Sequence, residues 1–401
     1  MELSGTVVAN RCHIAFFGRT NSGKSSLINA ITNQDVSIVS DLKGTTTDVV
    51  KKTMEILPLG PVVLIDTAGI DDDSELSELR KEKTYKTLDK TDIALLVVDI
   101  NKGITKYEND LVELFKNKKI PYLIVFNKSD LSSEIFEIKE NEVAVSAKTK
   151  QNIEKLKEKI GYFYNKEGKK EKFILKDKIN ENDIIVLCMP QDESAPKNRL
   201  ILPQTLTIRE VLDSNAICIC SQLNQLENSL KSLVNSPKLV ITDSQVFKEV
   251  DKIVDKNIPL TSFSILFANY KGNLKTLVKG AKKIDELKDG DKILISEACT
   301  HHRQCNDIGT VKLPNWLKNY TKKDLSFDFS SGGSYADDLE KYALIIHCGA
   351  CMLNEAEMKS RIEKAKNKNV EIVNYGIAIA YMNNILKRSL EIFPEISSLL
   401  Q

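Results

Sequence analysis

Cysteine and histidine side chains, which bind soft and borderline metal ions, are concentrated in the last third of this 401-residue chain. Residues 299–305 read CTHHRQC and residues 347–351 read HCGAC, so two short stretches hold three of the four histidines and four of the eight cysteines. The pattern is C-x-H, 45 intervening residues, then H-C-x-x-C. The candidate metal ligands are Cys299, His301, His347, Cys348 and Cys351.

Three interpretations of this pattern remain open. The cysteines could be small buried residues beside unrelated histidines, although their density argues against this. A structural zinc site would use Cys299, His301, Cys348 and Cys351, but C-x-H is a poor partner for C-x-x-C. An iron–sulfur cluster held by the three thiolates of Cys299, Cys348 and Cys351 is favoured. One iron of a four-iron cluster would then lack a thiolate ligand. His301 or His347 could bind this iron, or could donate hydrogen bonds to the cluster without being a ligand.

A second chemistry is predicted near the other end, where residues 18–25 read GRTNSGKS. This stretch matches the phosphate-binding P-loop, between a strand-like HIAFF and a helix-like SLINAI. Backbone N–H groups cradle phosphates, Lys24 reaches the outer phosphates and Ser25 holds Mg²⁺. The nucleotide-binding residues predicted here are Gly18, Asn21, Ser22, Gly23, Lys24, Ser25 and Ser26.

Two further segments complete the predicted reaction centre. In DTAG (66–69), Asp66 is placed for the Mg²⁺ shell and Gly69 for approach to the γ-phosphate. GTTTD (44–48) is the expected switch segment, with Thr46 as a Mg²⁺ contact. The predicted catalytic set is Lys24, Ser25, Thr46, Asp66 and Gly69.

Two motifs predict selectivity for guanine. In NKSD (127–130), Asp130 can accept both N–H groups on the N1/N2 edge of guanine, which adenine does not offer. SAK (146–148) adds a backbone contact to the guanine carbonyl. The base-binding residues predicted are Asn127, Lys128, Asp130, Ser146, Ala147 and Lys148, so the cofactor is GTP or GDP with Mg²⁺.

These elements in this order resemble the translation-factor class of P-loop GTPases. Ile70 stands where many GTPases place a water-orienting glutamine, so that group must come from elsewhere or the cycle is slow. Asn21, with GTT in the switch, resembles the potassium-activated subgroup that includes the tRNA-modification GTPases, which implies a K⁺ beside the phosphates. Thr47 departs from that subgroup's usual arginine. Asn21 could instead only stabilise the turn.

The elements that must position these residues follow from the apolar runs. HIAFFG, VVLIDTAG, IALLVVDI, YLIVFNKSD and EVAVSAK alternate with helix-like segments, which predicts a parallel sheet flanked by helices. A lysine-rich connector at 165–178 follows. The fold class is α/β, with a P-loop GTPase domain followed by two smaller α/β domains. The predicted domains are 1–168, 178–265 and 266–401.

The two ligand sets each follow a strand-like run, KILISEA or YALII. If these strands are parallel neighbours, both sets emerge at the same edge of a sheet, where sites in α/β proteins are built.

The other cysteines are expected to have plainer roles. Cys305 is predicted not to be a ligand. Core packing is favoured for Cys12, Cys188, Cys218 and Cys220, with a second metal at the last two as the lesser alternative.

Composition excludes some partner classes. Lys and Arg number 57 against 56 Asp and Glu, so no bulk charge favours nucleic acid or an anionic membrane. No apolar run approaches the roughly 20 residues that cross a bilayer, and the N-terminus lacks a signal-peptide pattern. We expect a cytoplasmic protein.

A GTPase followed by C-x-H and H-C-x-x-C, with RLILPQ at 199–204, resembles the HydF family of maturation GTPases for FeFe hydrogenase. The resemblance implies a GTPase domain, a middle domain that forms a homodimer, and a C-terminal domain with a four-iron four-sulfur cluster on Cys299, Cys348 and Cys351. It also implies a scaffold or carrier. Two radical-SAM maturases help to build a two-iron precursor, which the carrier delivers to apo FeFe hydrogenase.

Two other functions are compatible with parts of the sequence. An RNA-modification or ribosome-assembly GTPase with a structural zinc would have the same GTPase half, although the neutral net charge weakens this alternative. A GTP-regulated electron carrier would suit a fully ligated cluster better than three cysteines.

Overall fold

The computed structural model describes most of the chain, and its residues fall into two compact units, 1–171 and 172–401. The described residues are 10–32, 50–57, 59–67, 76–131, 138–166, 172–190, 200–298, 307–332, 335–336 and 338–400.

In the described part of the first unit, six strands form one sheet in the order β2-β3-β1-β4-β5-β6. All neighbouring strands are parallel except β2, which runs antiparallel to β3. The strands are β1 (Cys12–Phe17), β2 (Val50–Ile56), β3 (Gly60–Asp66), β4 (Ile93–Asp99), β5 (Tyr122–Asn127) and β6 (Glu142–Ala144). The helices are α1 (Lys24–Thr32), α2 (Leu76–Leu88), α3 (Lys106–Asn117) and α4 (Ile153–Lys166).

The central strands of this sheet are apolar on both faces because helices cover both. Side chains alternate across a strand, so Ile14 and Phe16 of β1 enter one core cluster, while Ala15 and Phe17 enter the other. Each of these four side chains is at most 1% exposed. The predicted parallel sheet with unbroken apolar strands is confirmed.

In the described part of the second unit, two four-stranded sheets are present, ordered β10-β9-β7-β8 and β12-β11-β13-β14. Every pairing in both sheets is parallel. The first sheet comprises β7 (Ile184–Cys188), β8 (Ile217–Ser221), β9 (Leu239–Thr242) and β10 (Leu260–Ser262). The second comprises β11 (Lys292–Glu297), β12 (Ser326–Ser331), β13 (Leu344–His347) and β14 (Glu371–Asn374).

Short helices connect and cover these strands. One hydrophobic cluster runs through both sheets, from Ile174 to Ile396. The helices up to the start of the second sheet are α5 (Leu202–Asp213), α6 (Leu226–Lys231), α7 (Phe247–Ile253), α8 (Phe263–Lys271) and α9 (Leu274–Ala281). The later helices are α10 (Leu313–Thr321), α11 (Glu355–Asn367), α12 (Tyr375–Met382), α13 (Leu386–Ser389) and α14 (Pro394–Ser397).

Both sheets of the second unit share one strand order. In each, the first strand is central, the second lies on one side of it, and the third and fourth follow on the other side. The connections that leave the first and third strands therefore diverge, which opens a crevice at the carboxyl ends of these two strands. In the second sheet this crevice lies between β11 and β13.

The α/β fold class, with a P-loop domain followed by further α/β structure, is confirmed. The expectation of core packing holds for Cys12 and Cys188, which are buried. It is wrong for Cys220, which is exposed, while Cys218 is half-buried. The reason is that β8 is an edge strand of its sheet. Along the described parts of the chain, the helices are all too short or too polar to cross a bilayer.

Candidate nucleotide site and candidate metal centre

The loop between β1 and α1 has the form of a phosphate cradle. Lys24 is the first residue of α1 and is 7% exposed. Its ammonium donates to the carbonyl oxygens of Gly18 at 2.9 Å and Arg19 at 2.8 Å. The N-terminal N–H groups of α1 lack partners within the helix, so the loop and helix together favour an anion.

Two glycines allow this loop to pack against its neighbours. Gly18 has φ 141°, and a Cβ there would lie 2.3 Å from the carbonyl oxygen of Val97 in β4. Gly23 has φ 92°, and a Cβ would lie 2.2 Å from Nδ2 of Asn127. Because both contacts and both backbone conformations exclude a side chain, the loop can only close with glycine at these positions.

A carboxylate and a hydroxyl meet beside this loop. The Ser25 hydroxyl donates to Oδ2 of Asp66, at the end of β3, at 2.5 Å. The other carboxylate oxygen, Oδ1, is buried and has no hydrogen-bond partner among the described residues. A buried oxygen with open lone pairs next to a hydroxyl suits a small, hard cation, so these two residues fit Mg²⁺. The predicted Thr46 and Gly69 lie outside the described residues.

Asn127 joins the two halves of the nucleotide site. It ends β5 and is 2% exposed. Its Nδ2 donates to the carbonyl oxygen of Ser22 at 3.0 Å, and its Oδ1 accepts from the Ala147 N–H at 3.1 Å. The amide therefore fixes the phosphate loop relative to the SAK loop.

The predicted guanine acceptor is oriented by its neighbours. Asp130 is exposed, and its Oδ1 accepts a hydrogen bond from the Ser146 hydroxyl at 2.6 Å. The Ser146 oxygen in turn accepts from the Thr149 N–H at 3.1 Å. An exposed carboxylate that is already oriented can receive the N1/N2 edge of an incoming guanine.

The remaining predicted nucleotide residues occupy the same edge of the sheet. Asn21 is exposed with φ 63°, and Ser26 and Lys148 are exposed. The hydroxyl of Ser22 is buried and has no hydrogen-bond partner within the described ranges. The Lys128 ammonium lies 2.6 Å from Oδ2 of Asp99.

One contact of the phosphate loop was missed from the sequence. Arg19 donates to the Thr105 hydroxyl at 2.6 Å, and its Nε lies 3.2 Å from Oε1 of Glu108. Thr105 and Glu108 form the capping box of α3. The TKYE pattern predicts the capping box from the sequence alone. The contact with Arg19, which lies 86 residues from Thr105, could not be predicted in this way.

The second site lies at the crevice between β11 and β13. These strands are parallel neighbours, with Ser296 in register with His347. The condition stated from the sequence, that KILISEA and YALII are parallel neighbours, is therefore met. The chain leaves the two strands on the same edge of the sheet.

Cys348 lies at this edge, immediately after β13. Its N–H donates to the Ser296 carbonyl oxygen at 2.9 Å, and its Sγ accepts from the Ala298 N–H at 3.1 Å. The sulfur is thus half-buried against the end of β11. Backbone N–H donors of this kind stabilise a thiolate.

Cys351 lies in the loop that follows, and a buried lysine holds this loop. The Lys271 ammonium donates to the carbonyl oxygens of Cys351 at 3.1 Å and Leu353 at 2.9 Å. Lys271 is 3% exposed, and burial lowers its pKa to about 8. Burial raises the pKa of the Cys351 thiol, an effect that the nearby Lys271 ammonium opposes.

His347 is held by hydrogen bonds on both ring nitrogens. Nδ1 donates to the Cys348 carbonyl oxygen at 2.8 Å, and Nε2 accepts from Arg361 at 3.0 Å. Arg361 also donates to Glu357 at 3.0 Å and to the Gly332 carbonyl oxygen at 2.7 Å. Burial, together with Arg361, lowers the pKa of His347 to about 3, so the imidazole is neutral.

The other predicted ligands, Cys299 and His301, lie outside the described residues, as does Cys305. Within the described ranges, no group of three or more His, Cys, Asp or Glu side chains is arranged to hold a metal ion. Two residues that sequence reasoning missed, Lys271 and Arg361, support the loop that carries Cys348 and Cys351.

Three family models match the chain. Residues 174–272 match the hydrogen maturase F dimerization domain, and residues 275–392 match the hydrogen maturase F tetramerization domain. Residues 13–128 match the 50S ribosome-binding GTPase model. The two maturase models together span more than half of the chain.

Curated relatives resemble the GTPase part. The tRNA modification GTPase MnmE of Chromobacterium violaceum is 36% identical over 173 residues, which are 41% of this chain and 38% of that protein. MnmE of Streptococcus agalactiae is 34% identical over 168 residues, 41% of this chain and 36% of that protein. The match thus spans little more than a third of these relatives' own length.

Two solved structures match part of this chain at low identity. A probable GTP-binding protein engB has 23% identity and a TM-score of 0.31, covering 39% of this chain and 99% of that one. Era from Aquifex aeolicus, bound to GDP and AlF4⁻, has 18% identity and a TM-score of 0.33, covering 53% of this chain and 93% of that one.

Proposed function

This chain belongs to the hydrogen maturase F family of hydrogenase-maturation GTPases, and from that premise we propose that it is a GTP-driven scaffold for a metal cargo. It holds a four-iron four-sulfur cluster in the crevice between β11 and β13. It receives a two-iron precursor built with radical-SAM maturases and delivers it to apo FeFe hydrogenase. The precursor is cargo and the cluster is the resident cofactor.

The observation that carries this proposal is the hydrogen bond from the Ala298 N–H to the Cys348 sulfur at 3.1 Å. Cys299 follows Ala298 directly, and consecutive Cα atoms are about 3.8 Å apart. We therefore expect the thiols of Cys299, Cys348 and Cys351 to meet in the crevice. This placement agrees with the rule that sites in open α/β sheets lie where the strand order reverses.

The residues around the crevice suit a cluster bound by thiolates. The Ala298 N–H stabilises one sulfur, and the buried Lys271 ammonium places a positive charge beside the loop that carries the other. Cys299, Cys348 and Cys351 would hold three irons of the cluster, which would leave one iron open to another ligand. We assign His347 to the surroundings rather than to this iron, because both of its ring nitrogens are already engaged.

The nucleotide site acts by positioning and charge. Lys24 and the N-terminus of α1 stabilise the negative charge that GTP cleavage places on the phosphates. Ser25, Asp66 and the predicted Thr46 would hold Mg²⁺. Asn21 is an exposed residue of the same loop, and we propose that its side chain helps to bind K⁺, which would add positive charge beside the phosphates.

We further propose that the second unit consists of two domains, each built around one of its two sheets. The middle part, 178–265, would form the homodimer, and the last part, 266–401, would hold the cluster. The family models that match these regions are named for dimerization and tetramerization, which supports an oligomeric scaffold. The alternative of an RNA-modification GTPase with structural zinc is not favoured, because the MnmE likeness is confined to the GTPase part.

Activation of apo FeFe hydrogenase tests this function. The full chain is produced together with the two radical maturases, purified anaerobically and mixed with apo-hydrogenase, and hydrogen evolution is measured. We expect activity with the unaltered chain and with Cys188→Ala, at a thiol outside the crevice, but not with Cys348→Ser. Activation by Cys348→Ser at the level of the unaltered chain would contradict the proposal.

A binding assay tests the role of the nucleotide. The affinity for a radical-SAM maturase is measured with a non-hydrolysable GTP analogue, with GDP and without nucleotide. We expect the analogue to change this affinity, because nucleotide and partner must bias the same two-state element if they are coupled. Equal affinities in the three conditions would leave the GTPase without a role in partner exchange.

A further inference from the structure

Two cysteines on β8 face each other outside both sites described above. Cys218 and Cys220 lie two residues apart, so their side chains project from the same face of the strand. Their sulfur atoms are 4.0 Å apart. Cys220 is exposed and Cys218 is half-buried. Since β8 is the last strand in the order β10-β9-β7-β8, solvent can reach this pair of thiols.

The two cysteines are free thiols, and their spacing does not favour a disulfide. Residues i and i+2 of a strand are separated by about 6.6 Å along its axis, which is near the upper limit of about 6.8 Å for the Cα separation in a disulfide. The sulfur atoms would also have to close from 4.0 Å to about 2.0 Å.

The spacing does suit a bridging metal ion. Two thiolates at about 2.3 Å from a tetrahedral Zn²⁺ lie about 3.8 Å from each other, close to the 4.0 Å between these sulfur atoms. The side chains can therefore chelate an ion with little movement of the backbone.

One of the two thiols has a lowered pKa and ionises near neutral pH. A hydrogen bond joins the two sulfur atoms, and either thiol can be its donor. This hydrogen bond lowers the pKa of Cys220 to about 7. The same hydrogen bond and burial raise the pKa of Cys218. Thiolates are the metal-binding form of cysteine, and a cation would displace the proton that the pair shares.

We propose that Cys218 and Cys220 form a second metal site, which chelates one thiophilic divalent cation of the Zn²⁺ or Cd²⁺ class. Both cysteines bind as thiolates, so the ion replaces the proton of Cys218 and whatever fraction of the Cys220 thiol is still protonated at the pH of the experiment. The two sulfurs fill half of a tetrahedral set, and the other positions are open to water or to an external ligand. Such a site exchanges its ion readily and is independent of the cluster crevice.

A cadmium titration of the full chain tests this assignment. The starting protein carries Cys299→Ser, Cys348→Ser and Cys351→Ser, which removes the predicted cluster ligands. Binding is followed by thiolate-to-cadmium charge-transfer absorption and by equilibrium dialysis. We expect one Cd²⁺ per chain, with release of between one and two protons near pH 7, because Cys220 is partly ionised there. Adding Cys218→Ser or Cys220→Ser should weaken binding by more than the roughly 100-fold effect of an outer-shell substitution.

The matched control is Cys188→Ala, which removes a buried thiol of the adjacent strand β7 and should leave Cd²⁺ binding unchanged. A second measurement needs no substitution on β8: alkylation of Cys220 by a maleimide, read by peptide mass spectrometry, should be slowed by stoichiometric Cd²⁺. The proposal is overturned if Cd²⁺ binding survives both β8 substitutions, or if Cd²⁺ leaves the alkylation rate of Cys220 unchanged.

Discussion

The ammonium of Lys271 lies 3.1 Å from the carbonyl oxygen of Cys351, 80 residues further along the chain. Lys271 ends α8, which follows the last strand of the first C-terminal sheet, whereas Cys351 lies beside the second sheet. A single buried side chain therefore ties the matched dimerization region to the loop that carries two of the predicted cluster ligands. This contact gives the two sheets of the second unit a direct structural link at the proposed metal centre.

Replacing this lysine should loosen the cysteine loop. In Lys271→Met the carbonyl oxygens of Cys351 and Leu353 lose their donor, and buried acceptors without partners cost about 1–3 kcal/mol. We expect the free energy of unfolding of the second unit to fall by about that amount. The single tryptophan, Trp316, lies in this unit, so urea denaturation followed by its fluorescence measures the change.

The control for this variant is Lys275→Met, which alters an exposed lysine on α9. It should leave both the unfolding free energy and the iron content after reconstitution unchanged, whereas Lys271→Met should lower the iron content as well. Equal iron content and equal stability in the two variants would show that Lys271 does not position the loop.

His347→Gln should retain the cluster. The imidazole is neutral because burial lowers the pKa of His347 to about 3, and its Nε2 accepts from Arg361. The glutamine carbonyl can accept the same hydrogen bond, so we expect unaltered iron content. We also expect unaltered EPR g-values in the reduced protein, because no iron–imidazole bond is lost. Strong nitrogen coupling in pulsed EPR of the unaltered protein, absent from this variant, would instead make His347 a ligand.

Potassium should accelerate GTP hydrolysis, and Asn21 should be required for this effect. Asn21 has φ 63°, a conformation that glycine adopts without strain, so Asn21→Gly removes the side chain and little else. We expect the unaltered chain to be at least about tenfold faster in K⁺ than in Na⁺, equivalent to about 1.4 kcal/mol in the barrier. The variant should have equal rates in the two salts. A slow rate in both salts for the unaltered chain would remove the assignment of K⁺.

Asp130→Asn should lower the affinity for GTP. The carboxylate accepts two hydrogen bonds from guanine in the proposed complex, and hydrogen bonds to charged groups contribute about 1.5–3 kcal/mol each. We expect a loss of affinity on the order of 10²-fold or more, measured by displacement of a fluorescent GTP analogue. Asp110→Asn, an exposed carboxylate on α3, is the control. An unchanged affinity in Asp130→Asn would show that NKSD does not read the base.

Local sequence patterns predicted much of this fold. The apolar runs predicted five strands of the first sheet, because strands with helices on both faces are apolar throughout. The P-loop, DTAG and NKSD motifs predicted which loops form the nucleotide site, and these loops follow parallel strands of one sheet. Whether KILISEA and YALII lie side by side was only a condition at that point, and the register of Ser296 with His347 shows that they do.

Other features could not be predicted from local sequence patterns, because they depend on contacts between distant residues. The AICIC run is as apolar as a central strand, so Cys220 was predicted to be in the core, yet β8 has a neighbour on one side only. Whether a strand is central or at the edge depends on which other strands pair with it. Lys271 and Arg361 were missed for a similar reason, because ordinary lysine and arginine residues in helices show no sign of their buried partners.

The central claim is that three thiols converge on one iron–sulfur cluster. The most direct measurement is anaerobic reconstitution of the full chain with iron and sulfide, followed by iron and sulfide analysis and EPR of the reduced protein. We predict four irons and four sulfides per chain. Cys299→Ser, Cys348→Ser and Cys351→Ser should each lower this content and alter the spectrum, while Cys188→Ala, at a buried thiol of β7, should not. A colourless protein with stoichiometric zinc, or a cluster that survives all three substitutions, would contradict the account.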